Sequence, residues 1–360
     1  MITRAERAGL PQWVSLTQGR IARTGTGSAP ADSIDGEDAL LVPGFVDLQV
    51  NGIGTDDLAR ADLDGFRRVG LALRRSGVTA WCPTLTSSPL DSYDDFLRRV
   101  AAARTDAVSQ GLPAVLGAHL EGPFLATSGA HPSGLLRDAD PTWLEGLLER
   151  HRGVVHMVTL APERDPEFRA TALLCAHGVR VALGHSQCSY EVARAAADAG
   201  ASVVTHCFNA MSGLDHRFPG LAAAALDDDR LTPTLIADGV HVDPVLVRLA
   251  TAARSRIAVV SDAVAVNPPV VARNGAAYLP DDTLAGATTL LDGALRALVH
   301  AGIPFARAVD CVATVPATVA DEADRGALRV GARADLVALD PQDLSVRRLW
   351  IGGVEAPISR

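Results

Sequence analysis

A chain of 360 residues, 48% hydrophobic and 21% charged, is long enough for one large core and a small satellite domain, and a net charge of −9 without basic clusters argues against a nucleic-acid or anionic-membrane partner. No apolar run reaches membrane-spanning length, and the opening MITRAERAGLPQW lacks the apolar core of a signal peptide. With five cysteines, odd in number and without a CxxC pair, the expectation is a cytoplasmic protein with reduced thiols.

Near the N-terminus, WVSLTQGRIARTGTG reads as two short alternating strands around a Gly turn. Next comes VPGFVDLQVNG, Val42 to Gly52, a buried strand running into a Gly turn. Two histidines spaced by one residue on such a strand would share a face and could hold a metal; here those positions carry Gln49 and Asn51. No lysine occurs anywhere, so all 33 basic side chains are arginines, which excludes a Schiff-base lysine and a carbamylated lysine bridging two metals.

Strand and helix patterns then alternate. Leu63 to Ser76 is helix-like, followed by GVTAWCPTL, the amphipathic SYDDFLRRVAAARTDA and AVLGAHLEGP. VVHMVTLAPE, RVALGHS, ASVVTHCFNAM, PTLIADGVHV and IAVVSDAVA continue the series, most of them separated by helical segments. Apolar runs of this kind predict a parallel sheet covered on both faces, and eight or nine of them suit a (β/α)8 TIM-like barrel. Glu121, His185, His206, His241 and Asp262 all fall at C-terminal strand ends, which converge on one rim of such a barrel. GALRVGARADLVALD and VRRLWIGGVEA resemble the N-terminal pattern. The expected organisation is therefore a small β-sandwich-like domain from residues 1–41 and 323–360, with a catalytic barrel at 42–322.

Ten histidines require sorting. His151, His177 and His300 lie on or at the ends of helices without partners at ligand spacing, and His156 reads as a core residue of its strand. His119, two residues before Glu121 and on the same face, fits a barrel-filling or supporting place better than a ligand position. His185 and His206 end adjacent strands and, with Glu121, form two imidazoles and one carboxylate, the donor set of catalytic metal sites that keep one position open. Asp262 follows an apolar run, where a carboxylate is costly without a partner or a task. It reads either as a helix cap or as the group that accepts a proton from water.

PGFVDLQVNG, GAHLEGPFL, SGAH, LAPE, LGHS, THCFNAM, HRFPG, IADGVHVD, VSDA, LAGA and GALRVGARADLVALD together resemble, in number and order, the N-acetylglucosamine-6-phosphate deacetylase family of the amidohydrolase superfamily. The resemblance implies a barrel with a small β-domain built from both termini. Gln49-x-Asn51 in place of His-x-His is similar to members with a single divalent ion, which makes these two a supporting or vestigial pair. Zinc is the expected ion, with Fe2+, Mn2+ and Co2+ also compatible with Glu121, His185 and His206 as ligands. Asp262 would be general base and then general acid, and His241 would stabilise the carbonyl oxygen. Arg217 would bind phosphate, with Ala130, His131, Asn209, Ala210 and Leu284, Ala285, Gly286, Ala287 around the sugar. The partners implied are a phosphorylated amino sugar, with N-acetylgalactosamine 6-phosphate as the alternative epimer, and a second copy in a homodimer. A non-catalytic metabolite-binding relative is the reading from a different class. Between Asp262 and LAGA this chain is shorter than the family pattern, which carries an extra hairpin there.

Overall fold

The computed structural model describes residues 10–36 and 38–358, so most of the opening segment quoted above lies outside it. Eight strands form one parallel sheet in chain order: Phe45–Val50, Val78–Thr86, Ala118–Glu121, Val155–Leu160, Arg180–Leu183, Val203–Val204, Thr232–Ile236 and Ala258–Val260. First and last strands meet across the gap. Asn51 N–H donates to the Ala263 carbonyl at 2.7 Å, Ser261 N–H donates to Asp47 Oδ1 at 3.1 Å, and Val50 bridges Ala263 in parallel register. The result is the expected (β/α)8 barrel.

Helices between the strands begin where the sequence supplies an acceptor. Asp62 Oδ1 accepts the Gly65 N–H at the start of Leu63–Arg75, and Asp140 Oδ1 accepts the Thr142 and Trp143 N–H groups at the start of Pro141–Arg150. Asp243 does the same for Pro244–Ala253, where proline occupies the first turn and loses no helical hydrogen bond. These helices bury Phe66, Val69, Leu73, Leu144, Leu147 and Val247 against the sheet.

Both chain ends contribute to a second layer. Trp13–Thr17, Arg20–Gly25 and Ser33–Asp35 form a three-stranded sheet; Leu40–Pro43 pairs antiparallel with Leu336–Leu339, beside Val346–Ile351 and Val354–Ala356. One apolar cluster holds Val14, Ile21, Leu41, Leu336 and Trp350 together. Leu40–Pro43, which spans the boundary expected after residue 41, pairs along its whole length with Leu336–Leu339. The segment after Asp262 folds a hairpin: Val271–Arg273 pairs with Ala276–Tyr278 around Asn274 and Gly275, both at positive φ. Asn-Gly is a strong sequence signal for that turn. Ala276–Tyr278 in turn pairs with Leu284–Ala287, which carries LAGA to the barrel mouth.

Candidate metal centre and active-site cavity

A cavity of about 920 Å³ opens at the C-terminal ends of the strands. Glu121, the last residue of Ala118–Glu121, lies on its floor with His131, His185 and His206 around it. His185 Nε2 and His206 Nε2 approach the same carboxylate oxygen, Oε1, at 3.2 and 2.8 Å, while His131 Nε2 is 3.7 Å from Oε2. All four side chains are buried. Burial pushes the Glu121 pKa up, but the three imidazoles together hold it well below the ordinary range.

Hydrogen-bond partners distinguish His185 from His131. His185 Nδ1 is 2.8 Å from the Thr127 carbonyl, which only accepts, so Nδ1 carries the proton and Nε2 a lone pair. That lone pair faces a carboxylate oxygen at 3.2 Å, an arrangement that a cation between the two relieves. His131 is wired the opposite way: its Nδ1 accepts the Ser87 N–H at 3.2 Å, leaving Nε2–H as a donor. Glu121, His131 and His185 have ligating atoms within 4.8 Å of one another, yet this tautomer makes His131 a donor to Glu121 or to a bound molecule. His206 has a buried Nδ1 without a partner, and its Nε2 is on Glu121. The donor set Glu121, His185 and His206 fits a divalent ion.

Asp262 stands opposite, following Ala258–Val260. Asn51 Nδ2 donates to its Oδ1 at 2.7 Å, a contact across 211 positions made by barrel closure. Burial first, and the Glu121 charge second, push the Asp262 carboxyl up to about 8. A divalent cation beside Glu121 would pull it back down. His185, His206 and Asp262 have φ of 49°, 31° and 49°, the left-handed region that costs non-glycine residues of order 1 kcal/mol. Three such residues at one rim mark where the strands turn abruptly to present their side chains.

Other predicted residues divide clearly. His241, Ala130, Asn209, Ala210, Leu284, Ala285 and Gly286 line the cavity. Ala287 lies beneath it, its N–H donating to the Asp262 carbonyl at 3.0 Å. His119 fills the barrel: Nδ1–H donates to the Leu48 carbonyl at 3.1 Å, and Nε2 accepts from Thr159 Oγ1 at 2.7 Å. Burial lowers its pKa to about 4, so it is neutral. Gln49 is buried outside the cavity lining, whereas Asn51 holds Asp262. Arg217 sits on an exposed loop apart from the lining, its N–H donating to Asp215 Oδ1 at 2.8 Å. Arg60, which sequence reasoning did not single out, is the arginine at the cavity wall among the described residues. No local motif marks it; only the fold brings its loop to the mouth.

A parallel barrel whose strand ends gather imidazoles around one carboxylate, with a second carboxylate opposite, is the architecture of a metal-dependent hydrolase. The chain belongs to the amidohydrolase family, whose pattern matches residues 40–356. It is 34% identical to N-acetylgalactosamine-6-phosphate deacetylase of Escherichia coli O157:H7 over 342 residues, covering 90% of this chain and 89% of the relative. It is 35% identical to N-acetylglucosamine-6-phosphate deacetylase of Rattus norvegicus, covering 87% and 82%. Among solved structures, a mutant form of the Mycobacterium smegmatis N-acetyl-D-glucosamine-6-phosphate deacetylase, in complex with N-acetyl-D-glucosamine-6-phosphate, superposes with a TM-score of 0.86 at 34% identity, over 95% of this chain and 94% of that one.

Proposed function

We propose that this protein is a metal-dependent deacetylase that hydrolyses N-acetyl-D-glucosamine 6-phosphate to D-glucosamine 6-phosphate and acetate in cytoplasmic amino-sugar catabolism. The observation that carries this reading is the pair of Nε2 atoms on one Glu121 oxygen, facing Asp262 across a single cavity. Glu121, His185 and His206 would hold one divalent ion, zinc first among the candidates. Bound there, such an ion polarises an amide carbonyl and acidifies water. Asp262, oriented by Asn51, takes the proton of the attacking water and returns it to the leaving amine. His241 faces the developing negative charge on the carbonyl oxygen. Ala130, His131, Asn209, Ala210 and Leu284–Gly286 surround the sugar.

Two arginines are candidates for the phosphate: Arg217 by motif and Arg60 by its place on the cavity wall. A guanidinium fork suits a phosphate in either case. A homodimer is part of the proposal on the ground of the family resemblance alone. Both hexosamine epimers are represented among the relatives, so acetate release should be measured on N-acetylglucosamine and N-acetylgalactosamine 6-phosphates, with metal content determined on the same preparation. Turnover with about one metal equivalent per chain is expected. Bound metal without turnover of any N-acetyl amine would favour a metabolite-binding role and overturn the assignment.

A further inference from the structure

His241 has a partner that the chemistry above leaves unused. In DGVH, between the strand Thr232–Ile236 and the helix Pro244–Ala253, Asp238 Oδ2 lies 2.7 Å from His241 Nδ1, and the two side chains are only 2% and 4% exposed. The other oxygen, Oδ1, accepts the Val240 N–H at 2.8 Å and the His241 N–H at 2.9 Å. Gly239, at φ +76° with open space around it, permits the tight turn. Three hydrogen bonds thus fix the carboxylate, and it cannot swing away from the ring without leaving two backbone donors unpaired. Burial raises the Asp238 pKa, but the His241 ring and these backbone groups outweigh it and hold the group below the ordinary range.

An ionised carboxylate only accepts, so the ring nitrogen facing it must carry the proton. A neutral imidazole has one N–H, and here that proton is on Nδ1. Its Nε2 is then a lone pair, which cannot donate to a carbonyl oxygen or an oxyanion. We infer that Asp238 is a positioning residue that holds His241 with Nδ1–H on its carboxylate, so that Nε2 donates to the substrate's carbonyl oxygen only from the imidazolium. The group that stabilises the developing oxyanion is therefore a cation locked in an ion pair. The inference rests on the deacetylase reading for its substrate and on geometry alone for its tautomer. Charged or titratable groups that share the cavity with His241 are Asp56, Asp57 and Arg60 from the loop after Phe45–Val50, Glu121 and His131, His185, His206, and Asp262. Asp238 is the one among the described residues that hydrogen-bonds its ring.

The test combines pH profiles with histidine nitrogen NMR. In the wild type, kcat/KM should fall on an alkaline limb as the imidazolium is lost. Asp238→Asn removes the charge that favours the imidazolium, so the limb should move at least about one pH unit lower and kcat fall roughly tenfold or more. His241→Gln should be slow but without that limb, and adding Asp238→Asn to it should cost nothing further, because Asp238 acts through the ring. An unmoved limb in Asp238→Asn, or an equal loss in the Gln background, would overturn the inference. In 15N-histidine spectra of metal-loaded protein, the signals missing from His241→Gln should report a protonated Nδ1 at every pH where the fold persists. A neutral ring protonated on Nε2 would overturn it as well. Absence of turnover on all N-acetyl substrates would instead sink the deacetylase reading, with the NMR result still deciding the tautomer.

Discussion

At the scale of single residues, the decisive contrast is between His131 and His206. Each is within reach of Glu121, but Ser87 donates to His131 Nδ1 and so gives that ring a donor where a ligand needs a lone pair. His206→Ala is expected to lose most bound metal, whereas His131→Ala should keep it and lose kcat/KM; elemental analysis of both variants checks this. Asp262→Asn preserves shape and leaves Glu121, His185 and His206 intact while removing the proposed proton acceptor. A fall in kcat of about 10²–10⁴ with metal retained is expected, and more than about a tenth of wild-type kcat would end the general-base assignment. For the two arginines, Arg60→Ala and Arg217→Ala are to be compared on phosphorylated and unphosphorylated sugar. A reader of phosphate raises KM on the first and spares the second; equal losses on both would mark a structural role. Glu121, His185, His206 and Asp262 were legible in the sequence because each ends an apolar run. The Asn51–Asp262 contact, the ring tautomers and Arg60 were not, since they depend on loops that meet only when the barrel closes.

Elements tell a similar story. Most barrel strands were readable as short apolar runs, and the Asp caps with proline in the first turn mark helix starts locally. What escaped was the hairpin after Asp262. Its strands are three residues each, too short for periodicity, although Asn274-Gly275 signals the turn. Gly275 has φ +86°, and an added Cβ would sit 2.8 Å from Thr289 Oγ1. Gly275→Ala should therefore cost roughly 1–2 kcal/mol in a denaturation experiment. Since the neighbouring strand brings Leu284–Gly286 to the cavity, a rise in KM should accompany that loss. Unchanged KM would show that the hairpin does not shape the cavity that the proposed substrate enters.

For the molecule as a whole, buried carboxyls make stability depend on pH, and Asp47 adds one such contribution away from the cavity. Asp47 is fully buried in the first barrel strand; burial pushes it up to about 6, against the hydrogen bonds from Ser261 and Gln49 that pull it down. A carboxyl whose folded pKa is raised keeps its proton in the native state while the unfolded chain has lost it. The contribution of Asp47 is thus fully present below about pH 4 and is lost as pH rises through about pH 6. A shift from 3.8 to about 6 corresponds to roughly 3 kcal/mol. Asp47→Asn should flatten the unfolding free energy between about pH 4 and about pH 6 relative to wild type. A parallel pair of curves would place the titrating group elsewhere.

The pairing of Leu40–Pro43 with Leu336–Leu339 also has a consequence for the order of synthesis. A ribosome delivers the first of these strands nearly three hundred residues before its neighbour. Until then Leu40, Leu41 and Val42, all buried in the finished protein, offer an apolar edge to any other nascent chain. The barrel can assemble meanwhile, because its strands pair in the order in which they emerge. A stalled or truncated product ending before Leu336 would therefore carry a barrel with an open, adhesive flank. In the finished protein Leu336–Leu339 covers that edge by pairing with it along its whole length.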